Sequence, residues 1–288
     1  MGTASPLRYP GGKSAMAGLF NRVRVANRLR DRDFAEPYAG GAGAALTLLL
    51  REEAPAIHIN DIDEAVSDIW WAVLEQADQF SEMIHTVPLT VDEWRRQRAI
   101  YRDPGSASRL ERAFAAFYLN RCNRSGIIRN GGVIGGIKQT GKWRIDARFN
   151  RKGLVERCQR VARYGARIRL SAQDGIDFVQ RLASDGVFFF IDPPYFGKGP
   201  TLYLNALDPP YHAALAEVLR TLKDSPWILT YDNCPEVRAL YEEWATVRSY
   251  SLRYSASSRR RGGELLIAPR WMILPTETGS ASIRWHSA

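Results

Sequence analysis

The sequence is poor in the residues that build staples and metal sites. Its three cysteines, Cys122, Cys158 and Cys234, are far apart and form no CxxC pair. That argues against a disulfide framework and against a cysteine zinc site, and a reducing cytoplasm is the expected compartment. Its four histidines show no HExxH spacing, so no catalytic metal is expected. No stretch reaches the roughly 20 apolar residues that a membrane span needs. The start, MGTASPLRYPGGKSAMAGLF, has no basic segment followed by a long apolar run, so no signal peptide is expected. Acidic residues are scarce in one region only. From Trp94 to Lys152 there are 15 Lys+Arg against Asp103, Glu111 and Asp146, a local excess of +12 in a chain whose formal charge is +9.

The basicity therefore belongs to a middle segment and not to the whole protein. A concentrated excess of this kind suits a phosphate backbone, where each cation displaces a condensed counterion. The bland alternative is a solvated basic face. With 288 residues, the chain is long enough for one large domain, or a domain with a sizeable insertion, around a full core.

The pattern along the chain opens as strand, glycine turn, helix, strand, helix: DFAEPY, GGAG, AALTLLLREEA, AIHIND, EAVSDIWWAVLEQADQF. This is the first βαβ of a doubly wound α/β sheet. The pattern then changes. Leu110, Ala113, Phe114, Phe117 and Tyr118 recur with helical spacing. NRCNRSGIIRNGGVIGGIKQTGKWRI, which follows, reads as irregular and hairpin structure. Residues 86–150 are thus expected as a basic, separately organised insert, mainly helical and hairpin. The α/β pattern resumes from residue 151 and runs to about 275. Residues 276–288 lack periodicity and read as a loose tail.

The tetrapeptide Asp-Pro-Pro-Tyr occurs twice, at 192–195 and at 208–211. The first copy follows VFFFI, a buried central strand, and in such sheets ligands bind beyond the carboxyl ends of strands. Asp192 is delivered to that rim. Pro193 and Pro194 stop the strand, stiffen the turn and leave backbone carbonyls free to accept hydrogen bonds. Tyr195 adds an aromatic face. A carboxylate, a carbonyl and a ring in one rigid turn suit a planar group bearing an NH₂. The second copy precedes the amphipathic HAALAEVLRTL, so Asp208 fits an N-cap and Pro209 the first helical position.

The order LRYPGGK, EPYAGGAGAAL, IND, basic insert, IDPPYF resembles the Dam-like (D12 class, alpha-group) adenine-N6 DNA methyltransferases, from Leu7 to about Ile267. The resemblance implies a doubly wound, Rossmann-like methyltransferase sheet using S-adenosylmethionine, with residues 86–150 as the target-recognition segment. It places Tyr9 near the cofactor's adenine end and Lys13 near its methionine carboxylate. The glycines of EPYAGGAG, Gly40 among them, let backbone approach the methionine part, flanked by Glu36 and Tyr38. The family usually has Phe where Tyr38 stands. Asp61, at the end of the second strand, takes the place of an acid that accepts ribose hydroxyls. A helix N-cap is its structural alternative, a cap that Ile62 or Asp63 could supply instead. Asp174 matches an acid near the cofactor's adenine amino group, and an N-cap is its alternative too. GGKS is not read as a phosphate loop, because Leu7 stands where such a loop has its first glycine.

The implied reaction is direct methyl transfer to adenine N6 in double-stranded DNA. Asp192 and the Pro193 carbonyl would hold the amine, and the flipped base would stack on Tyr195. Arg121, Asn123, Arg124, Ser125 and Arg129 are the candidate DNA contacts, and SSRRRGG at 257–263 a second, backbone-clamping basic loop. A cytoplasmic monomer of bacterial or phage origin is expected, with a cognate restriction enzyme as the one protein partner the resemblance brings. Three other readings stay open: a cytosine-N4 methyltransferase, an RNA amino-methyltransferase, and a catalytically silent DNA-binding protein of the same fold. A nicotinamide-dependent oxidoreductase would suit EPYAGGAG alone but not IDPPYF.

Overall fold

The computed structural model describes residues 4–9, 11–196, 208–252, 263–278 and 282–286. Residues 257–262 of the basic loop expected at 257–263, and the run YLNAL before the second tetrapeptide, lie outside them. Among the described residues eight strands form one sheet in the order β3-β2-β1-β4-β5-β7-β6-β8. The five strands β1 (Phe34–Glu36), β2 (Ile57–Asn60), β3 (Ile168–Ser171), β4 (Phe188–Ile191) and β5 (Trp227–Asp232) run parallel. β6 (Ala245–Leu252), β7 (Glu264–Pro269) and β8 (Ile283–Trp285) complete it in antiparallel pairing. The chain winds outward from β1 to β3 and then restarts beside β1 with β4. That reversal of strand order opens a crevice between the carboxyl ends of β1 and β4.

Side-chain alternation along β4 explains why this strand reads as a solid apolar run. Phe188 and Phe190 join one core with Phe34, Ile57 and Ile228, while Phe189 and Ile191 join the other with Ala35, Leu229 and Tyr231. Helices α1 (Ala17–Ala26), α2 (Gly43–Leu49), α3 (Glu64–Glu75) and α7 (Arg151–Ala162) contribute to the first core. Helices α8 (Gly175–Leu182), α9 (Pro209–Thr221) and α10 (Pro235–Tyr241) contribute to the second.

The long helix expected over 64–80 is two helices, α3 and α4 (Ala77–Thr86), because Gln76 leaves helical geometry at φ −133°. Residues 86–150 hold α5 (Val91–Arg102) and α6 (Arg109–Cys122). A capping box between Ser108 and Glu111 opens α6. After α6 the chain is irregular, with two short 3₁₀ turns and a single bridge between Asn123 and Val133. The insert does not have a core of its own. Phe114 and Phe117 of α6 meet Phe80 of α4 edge-on at 5.8 and 5.1 Å, inside the same core that backs the sheet. The expectation of a separately organised unit is corrected to that extent.

The loose tail expected over 276–288 is corrected at β8. Leu252 pairs with Ile283 and Tyr250 with Trp285, and the Trp285 ring packs edge-on against Tyr250 at 6.3 Å. Three residues are too few to show a period in the sequence. Among the described residues no helix is long and apolar enough to cross a membrane.

Candidate active site

The first Asp-Pro-Pro-Tyr leaves β4 at the crevice. By strand alternation Asp192 continues the Phe188 and Phe190 side of the sheet. The same period puts Thr230 of β5 with Ile228, and Glu264 of β7 with Leu266 and Ala268, all toward one core. These three polar side chains meet there around a buried Lys13. Lys13 Nζ lies 3.0 Å from Asp192 Oδ2, 3.1 Å from Asp192 Oδ1 and 3.6 Å from Glu264 Oε2. It also donates to the Tyr195 hydroxyl at 2.9 Å. The Thr230 hydroxyl donates to Asp192 Oδ1 at 2.6 Å, and Tyr250 of β6 donates to Glu264 at 2.6 Å. The Asp192 side chain keeps 21 % exposure, whereas that of Lys13 keeps 2 %, so the carboxylate faces the opening and the ammonium lies behind it.

The electrostatics follow from this arrangement. Burial alone would lower Lys13, but Asp192, Tyr195, Tyr250 and Glu264 together hold it well above the ordinary lysine range. Burial raises Asp192 above the usual carboxylate range, while Lys13 and the Thr230 hydrogen bond hold it back. Glu36, at the end of β1, accepts the Ala45 amide at 2.7 Å, and burial pushes it up to about 8.

The glycine turn lies on the other side of the crevice. Gly40 has φ +46°, and a Cβ there would come within 2.6 Å of the Tyr9 ring, which packs against the turn. Its amide donates to Asp61 Oδ2 at 2.8 Å, and its carbonyl accepts from the Trp70 indole at 2.9 Å. Asp61 also accepts the Asp63 amide at 3.0 Å, and burial pushes it up to about 6. Asp63, not Asp61, caps α3 by accepting the Ala65 amide. Asp174 does cap α8, accepting from Ile176 and Asp177, and its second oxygen accepts the Tyr211 hydroxyl at 2.9 Å. Tyr38 reaches the same hydroxyl at 2.9 Å.

The segment carrying Tyr9 and Lys13 is pinned to α6. Asn120 is buried and pairs with Arg8 as a second strand would, accepting its amide at 2.9 Å and donating to its carbonyl at 2.7 Å. This ties the basic segment to the crevice. Two of the expected DNA contacts are corrected here. Arg121 is buried and donates to the carbonyls of Arg148 and Pro6. Asn123 is buried, accepts from the Trp94 indole at 2.7 Å and donates to the Ile127 carbonyl at 2.7 Å. Both are turned inward and close the end of α6. Arg124, Ser125 and Arg129 are exposed.

A second exposed group, unread in the sequence, follows them. Residues 134–145 form a loop laced by Gln139, which donates to Ile134 and Gly136 and accepts the Ile145 amide. On it Trp143 is 57 % exposed and Ile137 52 %. Lys142 and Arg148 lie 5.8 and 5.6 Å from the Trp143 ring. Thr230, Glu264 and Tyr250 were also unread. The available signal was a charged or hydroxyl residue inside an otherwise apolar strand, as in ELLIAP and WILTYD.

A doubly wound sheet with Asp-Pro-Pro-Tyr at the end of β4, a glycine turn after β1 and an acid after β2 defines a class, the Rossmann-like methyltransferases. Residues 9–255 match the family described as D12 class N6 adenine-specific DNA methyltransferase. The chain belongs to that family and is an adenine-specific DNA methyltransferase. No curated relative matches it in sequence. Among solved structures, the rRNA methyltransferase aviRa from Streptomyces viridochromogenes at 1.5 Å is 14 % identical, with a TM-score of 0.39 over 91 % of this chain and 86 % of that one. A second structure of the same protein, at 2.4 Å, gives 14 %, 0.36, 90 % and 86 %. Scores at that level carry no inference about activity.

Proposed function

We propose that the enzyme takes its methyl group from S-adenosylmethionine and delivers it to an adenine flipped out of duplex DNA, with Asp192 as the acceptor of the target amine. The observation that carries this reading is the Asp192 carboxylate at the mouth of the crevice, held from behind by Lys13 and Thr230. The crevice fits the donor. The Asp192 carboxylate at its mouth suits a positively charged sulfur. Asp61 stands at the carboxyl end of β2, where a ribose is held, next to the left-handed turn at Gly40.

When bound, S-adenosylmethionine supplies an electrophilic methyl group on a sulfonium. The residues of the chain align and polarise. Among the described residues Asp192 Oδ1 is bonded by Thr230 and Lys13, whereas Oδ2 has Lys13 alone and keeps capacity for a substrate N–H. An amine held there and by the Pro193 carbonyl turns its lone pair out of the ring plane toward the methyl carbon. The carboxylate also stabilises the positive charge that develops on nitrogen as the N–C bond forms and the C–S pair returns to sulfur. The proton lost from nitrogen passes afterwards to solvent water. Lys13 acts here as the partner of Asp192, where the family resemblance put it at the cofactor carboxylate. In duplex DNA the amine is paired, so the base must leave the stack, and the Tyr195 ring supplies a face for it.

For DNA binding, Arg124, Ser125 and Arg129 remain the proposed contacts of the original set, joined by the Trp143 loop. A preordered loop presenting an indole between Lys142 and Arg148 suits a phosphate backbone with a base or sugar face against the ring. Trp143→Ala is expected to weaken duplex binding by about tenfold, in line with the ~1–3 kcal/mol of one aromatic stacking contact. Fluorescence anisotropy of a labelled duplex measures it, and an unchanged affinity would remove the loop from the interface. The reaction itself is tested with methyl-labelled S-adenosylmethionine and duplex DNA, followed by digestion to nucleosides. Label in N6-methyladenine is expected. Label confined to N4-methylcytosine, or none, would overturn the proposal.

A further inference from the structure

The second Asp-Pro-Pro-Tyr is more than a helix start. Asp208 caps α9 by accepting the amide of Tyr211 at 3.1 Å, which fixes that residue in the first turn. From there the Tyr211 side chain reaches back across the rim of the sheet. Its hydroxyl donates to Asp174 Oδ2 at 2.9 Å and lies 2.9 Å from the Tyr38 hydroxyl. Tyr211 has one hydroxyl proton, and Asp174 takes it. The proton between the two tyrosines therefore comes from Tyr38. The result is a directed chain, Tyr38 to Tyr211 to Asp174.

The surroundings are built around that chain. A Cβ on Gly175 would come within 2.3 Å of the Tyr38 ring, so the first residue of α8 must be glycine for the ring to lie there. Asp174 Oδ1 is committed to the α8 amides of Ile176 and Asp177. With Tyr211 on the other oxygen, the carboxylate is fixed in rotation on both sides. The Tyr38 hydroxyl has its partner in a tyrosine that the second tetrapeptide supplies.

We infer that Tyr211 is a positioning residue for the methyl donor: through Asp174 and Tyr38 it fixes the carboxylate that receives the amino group of the donor's adenine. This rests on the proposed use of S-adenosylmethionine and on the place beside the donor's adenine that the family resemblance gives Asp174. Tyr211 touches neither the reacting amine nor the methyl group, so its effect falls on donor recognition and not on the chemical step. A carboxylate so oriented accepts hydrogen bonds and repels a carbonyl oxygen. The site should therefore discriminate S-adenosylmethionine from its hypoxanthine analogue, in which a carbonyl replaces the amino group.

The test uses the full chain and its Tyr211→Phe variant, which keeps the ring and removes one hydroxyl. Donor affinity is read by titration calorimetry, and KM and kcat by methyl transfer to duplex DNA with each donor. The variant is expected to bind S-adenosylmethionine about tenfold more weakly, the loss of one hydrogen bond to a charged group, with kcat unchanged. Its preference for the adenine donor over the hypoxanthine donor narrows by a similar factor. Tyr38→Phe added to Tyr211→Phe costs little more, because its partner is already gone. A variant with lower thermal stability but unaltered KM and donor preference would overturn the inference and leave Tyr211 as packing. Absence of donor binding by the unaltered chain would overturn the proposed function, and this inference with it.

Discussion

Asp192→Ala abolishes methyl transfer, with a fall of about a thousandfold or more in kcat, while DNA and donor binding persist. The magnitude follows from the place of Asp192: it is the charged group facing the opening, and groups that meet developing charge in a closed site contribute factors of ~10²–10³ or more. The fold should survive the change. Lys13, the cation left behind, keeps Glu264 at 3.6 Å and the Tyr195 hydroxyl at 2.9 Å, so it is not orphaned. Asp208→Ala is the control with the same letters. It removes only the cap that accepts the Tyr211 amide and lowers stability by about 0.5–2 kcal/mol in denaturant unfolding, with kcat intact. Folded Asp192→Ala protein with near-normal turnover, or Asp208→Ala protein that folds but has lost turnover, would show that the two copies had been sorted wrongly.

The sequence made some of this arrangement readable, for physical reasons. VFFFI suits only a strand covered on both faces, and two prolines end it, so the sequence itself puts Asp192 at the rim. The cap at Asp208 was readable because Pro at the first helical position and the apolar period after it are local signals. Helix α5 was not readable: of its 12 residues only Trp94 and Gln97 are buried, leaving no apolar stripe. Thr230 and Glu264 were hidden for a different reason. Their place beside Asp192 depends on β4 pairing with β5, and β5 with β7, and register across strands is a non-local fact. Arg121 misled because an arginine at a helix end can turn to solvent or back onto backbone carbonyls, and its neighbours in sequence do not decide which. Tyr211 was half-read. The helix start was visible, but the reach of its side chain to Asp174 spans 37 residues.

Lys13→Met should cost more than any other change behind the active site, and it should leave a mark in pH. The substitution keeps the length of the side chain and removes the cation that, among the described residues, Asp192 and Glu264 share. Breaking a buried pair by deleting one partner costs about 3–5 kcal/mol, because the remaining charge is stranded in a poor solvent. Protonation of the carboxylates relieves part of that, and this sets the sign of the pH effect. Asp192 must be ionised to accept the amine strongly, so activity falls as pH drops through its pKa. Burial already raises that pKa and Lys13 opposes the rise. Without Lys13 the pKa climbs further, and the acid limb of kcat against pH moves to higher pH by at least about one unit, the usual effect of an opposite charge within ~4–6 Å. Activity in the variant should therefore recover as the buffer is made more alkaline, which Asp192→Ala cannot do. An acid limb in the same place in both proteins would show that Lys13 does not tune Asp192, and would return the lysine to the role that the family resemblance gave it, at the carboxylate of the methyl donor.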